Sequence, residues 1–206
     1  MKRLSLTVVK VGGSLFDWPE FPHRVAAFLQ TLEADDSRER IVLIAGGGPA
    51  ADLIRVLDDL HSLGDETAHR LALLAMELSA YILAALLPKT VAIHDLDGLR
   101  SVWSTGTIPI LAPKLICDEI ESSGQDVLPM NWNTTSDSIA ARIALHLAAD
   151  RLILLKSAPL PEGADRHEAA RLGLVDPMFP VVTRSLARVE YVDLREDAAA
   201  PRLLPL

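Results

Sequence analysis

The stretch Val8-Val9-Lys10-Val11-Gly12-Gly13-Ser14 carries an apolar strand straight into a glycine turn, with a lysine near the strand end. A second stretch repeats the pattern, since Ile41-Val42-Leu43-Ile44-Ala45 leads directly into Gly46-Gly47-Gly48-Pro49. In such turns the bare backbone can approach an anion closely, and a helix that begins there adds free N–H groups and a favourable dipole. The pair of turns therefore predicts a site that holds phosphates from two sides.

On either side of these stretches, strands and amphipathic helices alternate along the chain. The predicted strands are Leu6–Val11, Ile41–Ala45, Val91–Ile93, Pro109–Leu111, Leu152–Leu155 and Arg188–Leu194. The predicted helices are Phe21–Leu32, Ala50–Leu63, Thr67–Leu87, Ser138–Ala149 and Arg166–Leu172, and Asp126–Pro129 is expected to lead into a loop. Alternation of this kind, with strands that are apolar on both faces, is typical of a parallel sheet covered by helices. The sequence thus predicts an α/β fold in a single domain, residues 1–206.

Composition narrows the possible partners and the compartment. The chain is half hydrophobic and has a formal net charge of −8, so it lacks the basic face that a nucleic-acid partner needs. The single cysteine, Cys117, excludes an internal disulfide and a cysteine-based metal cluster, and it favours a reducing, cytoplasmic location. The segment from Leu71 to Leu87 approaches the length that spans a membrane, but it contains Glu77 and ends at Pro88. We expect a helix buried under the sheet and no membrane partner.

Lys10 is the first candidate for a catalytic group. It shares a strand face with Leu6 and Val8, and a covered parallel strand seldom carries a lysine because a buried ammonium needs a partner. The carboxyl end of the strand, where Lys10 lies, is where open α/β sheets bind ligands. We predict that Lys10 bridges transferring phosphates, which the N–H groups of Gly12 and Gly13 cradle. The alternative is a lysine that extends into solvent beside a tight turn.

The second turn is predicted to hold phosphate or substrate through Gly46, Gly47 and Gly48. It formally fits a dinucleotide fingerprint, but the region about twenty residues on is helical and offers no acidic residue at a strand end, so that interpretation is rejected. Taken alone, the stretch could be a plain strand-to-helix turn. Asp52 lies in the predicted first helical turn, where it either binds a cationic substrate group or favours the helix dipole.

Three further positions carry chemistry. Asp137 lies in Thr134-Thr135-Ser136-Asp137-Ser138 before an apolar helix, where helix capping competes with a catalytic role in fixing a lysine near the reacting phosphate. Lys156 ends a buried strand and is predicted to contact nucleotide phosphate. His69 and Glu77 share an apolar helix, as part of a substrate pocket or as a buried hydrogen-bonded pair. Because no set of His, Asp and Glu has metal-ligand spacing, any metal is expected to be Mg²⁺ carried by nucleotide phosphates.

Together these motifs resemble the amino-acid kinase family, which includes acetylglutamate, uridylate and isopentenyl-phosphate kinases. The matching segments, in order, are Val8–Ser14, Ile44–Gly48, Ser136–Ala141 and Leu152–Lys156, and the resemblance extends to about residue 180. It implies a three-layer α/β/α sandwich with a mainly parallel central sheet, usually dimeric, and phosphoryl transfer from ATP to a carboxylate, phosphate or similar oxyanion. It further implies that Lys10 neutralises the transferring group, that Asp137 organises the lysine contacts, that Gly12, Gly13 and Ser14 hold ATP phosphates, and that Gly46–Gly48 face the acceptor.

A narrower resemblance concerns short members of the family that act in methanofuran biosynthesis. It rests on Leu128–Ser138, His69–Tyr81 and Leu174–Pro180, and it implies a phosphate monoester acceptor such as aminomethyl-furanmethanol phosphate. The predicted substrate-binding residues then include Asn133 and Thr135, and an acidic residue, Glu77 or Asp52, would face the ammonium group of the acceptor.

The chain departs from the family at two places. The usual nucleotide loop is replaced by Lys156-Ser157-Ala158-Pro159-Leu160-Pro161, and the late segment that carries a second catalytic lysine is missing. Lys156, Arg184 or Lys114 could take the place of that lysine. The alternatives to a phosphate-acceptor kinase are a non-catalytic protein that binds nucleotide or oxyanions, and a carboxylate kinase like acetylglutamate kinase.

Overall fold

The computed structural model describes residues 5–35, 39–122 and 128–206. In these ranges the strands form one sheet in the order β3-β4-β2-β1-β5-β6-β7. The strands are β1 Leu6–Val11, β2 Arg40–Ala45, β3 Thr90–Ile93, β4 Ile108–Leu111, β5 Arg151–Lys156, β6 Val189–Asp193 and β7 Arg202–Leu203. The helices are α1 Phe21–Asp35, α2 Gly48–His61, α3 Asp65–Leu86, α4 Gly98–Ser104, α5 Pro113–Ser122, α6 Ser136–His146, α7 Arg166–Arg171 and α8 Phe179–Val182.

The central strand, β1, marks the point where the order of the sheet reverses. It pairs in parallel with β2 on one side and with β5 on the other, so that Lys10 lies between Ile44 and Leu154. After β1 the chain forms β2, β3 and β4 on one side, with β4 inserted between β2 and β3, and then forms β5 and β6 on the other side. In open α/β sheets, ligands bind beyond the carboxyl ends of the strands at such a point. Only β7 is antiparallel among the described strands.

Each face of the sheet has its own hydrophobic core. Val8, Val42 and Leu152 point to a core completed by α5 and α6, whereas Val9, Leu43 and Ile153 point to a core completed by α1. Helix α3 contributes to both cores. Alternate residues of one strand therefore enter different cores, and this burial on both faces explains why the strands are apolar throughout. The three-layer α/β/α arrangement with a mainly parallel sheet is confirmed.

The predicted strands and helices are all present, with ends that shift by a few residues. Helices α4 and α5, the short α8 and strand β7 were not predicted. Part of the segment Asp126–Pro129 lies outside the described residues, and its last two residues, Leu128 and Pro129, form irregular structure. Helix α2 begins at Gly48, two residues earlier than expected, and α6 begins at Ser136.

Within the described ranges, α3 is the one helix that is long and apolar enough to cross a membrane by length and composition. Its mean hydropathy is 1.4. One of its faces packs on the sheet, with Leu73, Met76, Ala80 and Leu83 buried. The opposite face leaves Leu74, Leu78 and Ile82 exposed. The expectation of a helix buried under the sheet is therefore met on one face and wrong for the other.

Candidate active site

Two lysines meet one aspartate at the carboxyl ends of the central strands. Lys10 Nζ of β1 lies 2.8 Å from Asp137 Oδ1, and Lys156 Nζ at the end of β5 donates to Asp137 Oδ2 at 2.7 Å. The Lys10 side chain is only 3% exposed and that of Asp137 6%. The alternative of a lysine that extends into solvent is therefore wrong for Lys10.

The electrostatics of this cluster follow from burial and from the two ammonium groups. Burial alone would raise the pKa of Asp137, but Lys10 and Lys156 outweigh it and lower that pKa to about 2. Burial also lowers the pKa of Lys156 to about 8, with Asp137 opposing the shift and Lys10 adding to it. Asp137 is thus ionised at neutral pH, and Lys156 can lose its proton in the mildly alkaline range.

The cluster leaves N–H donors unused. An ammonium group has three N–H donors, and among the residues that the structure describes Lys10 Nζ pairs with Asp137 alone. Lys156 Nζ pairs with Asp137 and also donates to the Leu174 carbonyl at 2.7 Å. Two cations share one carboxylate, so the arrangement is suited to binding a further anion.

Asp176 holds the amino end of α6. It lies in the segment Leu174–Pro180, and the sequence alone indicated no role for it. Its carboxylate accepts hydrogen bonds from the backbone N–H groups of Thr135, Ser138 and Met178 at 3.0, 3.0 and 3.1 Å. It also accepts from the hydroxyl groups of Thr135 and Ser138. Burial, followed by the nearby Asp137, raises the pKa of Asp176. Asp176 therefore serves as the cap of α6, and the capping alternative for Asp137 is wrong because its carboxylate faces the lysines.

The two glycine turns pack directly against each other. A Cβ on Gly13 would lie 2.6 Å from Gly48 N, and a Cβ on Gly46 would lie 2.6 Å from Gly13 N. Gly46 N also donates to Val11 O at 2.8 Å. The turns touch backbone to backbone at these points, which explains why glycine is required there.

The loops after β1 and β5 meet on the other side of β1. Gly12 N donates to Leu155 O at 2.8 Å, and the hydroxyl groups of Ser14 and Ser157 lie 2.7 Å apart. The structure thus brings the predicted phosphate-binding residues Gly12, Gly13 and Ser14 to one edge of the sheet together with Lys156.

A cavity of about 190 Å³ opens beside the glycine turns, between α2, α3 and the loop that precedes α6. Among the predicted substrate-binding residues, it is lined by Gly47, Gly48, Asp52, His69 and Thr135. Helix α2 begins at Gly48, so Asp52 lies beyond its first turn. The helix dipole acts mainly within the first turn, so the alternative that Asp52 favours the dipole loses its basis. Burial, with a smaller effect of Arg70, lowers the pKa of His69, whose imidazole is neutral at pH 7.

Glu77 and Asn133 do not line this cavity, contrary to the prediction that both bind substrate. Glu77 Oε1 lies 2.9 Å from His94 Nδ1, and His94 Nε2 bonds to the Tyr81 hydroxyl group. The Asn133 backbone bonds to Asn131 and Met178. The alternative pairing of Glu77 with His69 is also wrong, because a histidine from the end of β3 takes that place. Gly46 lies beneath the cavity, against Gly13.

Of the three basic residues proposed to replace the missing second lysine, Lys156 reaches Asp137. Lys114 instead pairs with Asp118 in its own helix at 2.7 Å, and Arg184 lies exposed in the turn after α8. The position of Lys156 therefore suits the role of a second cation.

Three comparisons with known proteins bear on this site. A family model described as the amino acid kinase family matches residues 5–159. A curated relative, the [5-(aminomethyl)furan-3-yl]methyl phosphate kinase of Methanocaldococcus jannaschii, is 25% identical over 197 residues, covering 90% of this chain and 86% of that protein.

Solved structures share the fold at lower identity. UMP kinase from Ureaplasma parvum is 12% identical with a TM-score of 0.63, covering 96% of this chain and 93% of that one. Aspartate kinase from Synechocystis is 15% identical with a TM-score of 0.64, covering 98% of this chain and 40% of that one.

Proposed function

The chain belongs to the amino acid kinase family and is a kinase with ATP as its phosphate donor, and on that premise we propose that it phosphorylates a small phosphate monoester that carries an ammonium group. The observation that carries the proposal is the buried pair of lysines around Asp137, with free N–H donors at the switch point of the sheet. An oxyanion on each substrate would supply the negative charge that this cluster lacks.

The proposed reaction is an in-line phosphoryl transfer, which that geometry supports. An oxygen of the acceptor phosphate attacks the γ-phosphorus of ATP in line, a new P–O bond forms, and the bond to the β-phosphate oxygen breaks to release ADP. Lys10 and Lys156 neutralise the charge of the transferring group, and Asp137 fixes both ammonium groups in position. The backbone N–H groups of the two glycine turns hold the phosphates on either side, so positioning and charge neutralisation provide the catalysis.

Mg²⁺ is proposed to enter on the nucleotide phosphates. Both oxygens of Asp137 face ammonium groups, and within the described ranges no group of three or more His, Cys, Asp or Glu is arranged to hold a metal ion. A phosphate-bound Mg²⁺ needs few protein ligands because it keeps several waters.

The acceptor is proposed from the cavity and from the name of the curated relative. Asp52 is the carboxylate that lines the cavity, so it is the residue suited to an ammonium group, whereas Glu77 is already paired with His94. The start of α2 at Gly48 presents N–H groups on the same side for a phosphate. [5-(Aminomethyl)furan-3-yl]methyl phosphate, which the relative's name specifies, combines both groups.

The test is ADP release in the presence of ATP and Mg²⁺ with a panel of acceptors. We expect turnover with [5-(aminomethyl)furan-3-yl]methyl phosphate and formation of its diphosphate, and far slower turnover with UMP or N-acetylglutamate. Preference for N-acetylglutamate would instead indicate a carboxylate kinase. Nucleotide binding with no turnover of any acceptor would contradict the proposal and favour a non-catalytic protein. An Asp52→Asn variant should lose acceptor affinity while its KM for ATP stays unchanged.

A further inference from the structure

Trp132 is fixed over the cavity by contacts that reach across from α2. Its indole Nε1 donates to Asp58 Oδ2 at 2.8 Å, and the guanidinium carbon of Arg55 lies 4.4 Å from the ring centroid. Trp132 itself belongs to the loop before α6, and both Trp132 and Arg55 line the cavity. An aromatic side chain that is already held by a carboxylate and a guanidinium group loses little conformational freedom when a ligand binds beside it.

The wall of the cavity that α3 and α6 form is largely apolar, whereas the side of α2 and the loop before α6 also contribute polar and charged side chains. Ala72, Met76 and Ile139 line it from α3 and α6, and the neutral imidazole of His69 stands among them. The glycine turns close the end nearest the lysine cluster. A slot with one apolar wall and a tryptophan in its lining accommodates a flat ring, whereas a flexible chain would lose more entropy on entering it.

Thr134 provides an independent sign that a ligand completes this slot. The residue is 3% exposed and lines the cavity, yet its hydroxyl oxygen has no hydrogen-bond partner among the described residues. A buried hydroxyl group without a partner is costly and uncommon in a folded protein. A polar atom of a bound acceptor would satisfy it.

We propose that Trp132 determines acceptor specificity by selecting a flat heteroaromatic phosphate monoester, with its ring against the indole and a polar atom facing Thr134. This inference rests on the proposed function and names the class of acceptor within it. The ring provides the contact area, the phosphate lies towards the glycine turns, and the ammonium group lies towards Asp52 at the cavity edge. Stacked aromatic pairs add to area burial and so favour a flat ring over an aliphatic chain.

A second tryptophan offers a matched control at the opposite edge of the sheet. Trp103 Nε1 donates to Ile41 O at 2.9 Å, and the Arg40 guanidinium lies 4.9 Å from its ring centroid. Trp103 thus has the same kinds of contact as Trp132, but it lies away from the glycine turns. A Trp103→Leu variant removes an equivalent indole without touching the acceptor cavity.

The experiment compares two acceptors that differ in the ring alone. [5-(Aminomethyl)furan-3-yl]methyl phosphate and aminopentyl phosphate carry the same phosphate and ammonium groups across the same number of bonds. For Trp132→Leu we expect kcat/KM for the furan ester to fall about 10- to 100-fold and that for aminopentyl phosphate to change less than about threefold. Trp132→Phe should keep most of the preference, and Trp103→Leu should keep all of it. The KM for ATP should be unchanged in each variant.

The same comparison tests the role of Thr134. Thr134→Val should weaken binding of the furan ester by about three- to tenfold without lowering the unfolding midpoint, because the hydroxyl group contributes no bond to the free protein. A fall in stability with unchanged acceptor binding would mean that Thr134 is structural.

Two outcomes separate this inference from the proposed function. If both esters are phosphorylated and Trp132→Leu slows them equally, the proposed acceptor class stands and the selection of a ring by Trp132 is wrong. If neither ester is phosphorylated, the proposed acceptor class fails, and calorimetric binding of the two esters decides the inference. Tighter binding of the furan ester that is lost in Trp132→Leu supports it, and equal binding of both esters overturns it.

Discussion

Charged side chains gather at both ends of the central strands, and among the described residues they are balanced at one end and unbalanced at the other. At the amino ends, Arg151 reaches Glu39 at 3.2 Å and Glu190 at 3.3 Å, and Arg188 reaches Glu190 at 2.6 Å. Two cations there meet two carboxylates. At the carboxyl ends, Lys10 and Lys156 share Asp137, and the next carboxylate, Asp176, faces hydrogen-bond donors of α6.

The difference indicates which cluster stabilises the fold and which serves chemistry. The amino-end cluster is a closed network, so every charge has its partner within the protein. The carboxyl-end cluster has one carboxylate for two ammonium groups, and burial already works against Lys156, whose pKa it lowers to about 8. Strain of this kind is tolerated at functional sites, where the missing partner is supplied by a ligand.

The largest expected effect comes from Lys10→Met. Loss of one ammonium group from the reacting phosphate should lower turnover by about 10³-fold or more. Stability should change by no more than about 1 kcal/mol, because Asp137 keeps Lys156 as a one-to-one partner. Steady-state kinetics and urea unfolding measure the two effects. A near-normal rate at unchanged stability would remove Lys10 from the mechanism.

The amino-end cluster should behave in the opposite way. Arg151→Met leaves Glu39 and Glu190 without their shared cation, so the unfolding free energy should fall by about 3–5 kcal/mol. Turnover at low temperature, where the variant is still folded, should stay within about twofold of the wild type because the cluster lies at the far edge of the sheet. Arg151→Lys keeps the charge but not the planar guanidinium, so its unfolding free energy should lie between those of the wild type and Arg151→Met. A strong loss of turnover in folded protein would end the contrast between the clusters.

The fold could be predicted from the sequence because its strands are buried on both faces. Runs such as Val42–Ile44 and Leu152–Leu155 are apolar at every position, which few other structures require. Helix α5 was missed although Pro113 begins it, because its apolar pattern spans only ten residues. The edge strand β7 has two residues and is too short for any periodicity to show.

The site could be predicted where its residues adjoin a strand end, a glycine turn or, as for Asp137, the start of an apolar helix. Lys10 and Lys156 meet that condition, but Asp176 bonds to residues 38 and 41 positions earlier, and Trp132 bonds to Asp58, 74 positions earlier. Such distances leave no pattern in a single sequence. Glu77 was misplaced because eight helical residues turn it about 80° away from His69, enough to reach another partner.

A smaller effect is expected from Asp176→Asn, which sharpens the distinction between positioning and stabilising carboxylates. The amide would turn N–H donors towards N–H donors at the start of α6, which should cost about 1–3 kcal/mol and displace Asp137. We expect kcat to fall about tenfold, because a displaced Asp137 no longer holds the two lysines in the reacting position. The KM for ATP should change little.

Asp165→Asn is the matched control for this variant. Asp165 caps α7 through the Glu168 N–H at 2.7 Å, and it does not line the cavity. Because Asn caps a helix about as well as Asp does, stability should fall by no more than about 0.5 kcal/mol, with no loss of kcat. Equal effects of the two substitutions on kcat would mean that Asp176 has no positioning role.

The smallest effect is a pH dependence that separates the two clusters without any large loss of activity at pH 7. The proposed mechanism requires the Lys156 ammonium in the free enzyme, and burial lowers the pKa of Lys156 to about 8, so kcat/KM should decline by up to about tenfold per pH unit above that value. Lys156→Arg keeps its charge over this range, so the decline should vanish even if the rate itself is lower. Folding stability should change in the opposite direction. The unfolded lysine keeps its proton up to about pH 10, whereas folded Lys156 loses its proton near pH 8, so the unfolding free energy should rise between about pH 8 and 10. A decline in kcat/KM that persists in Lys156→Arg would assign it to another group and leave Lys156 with a structural role.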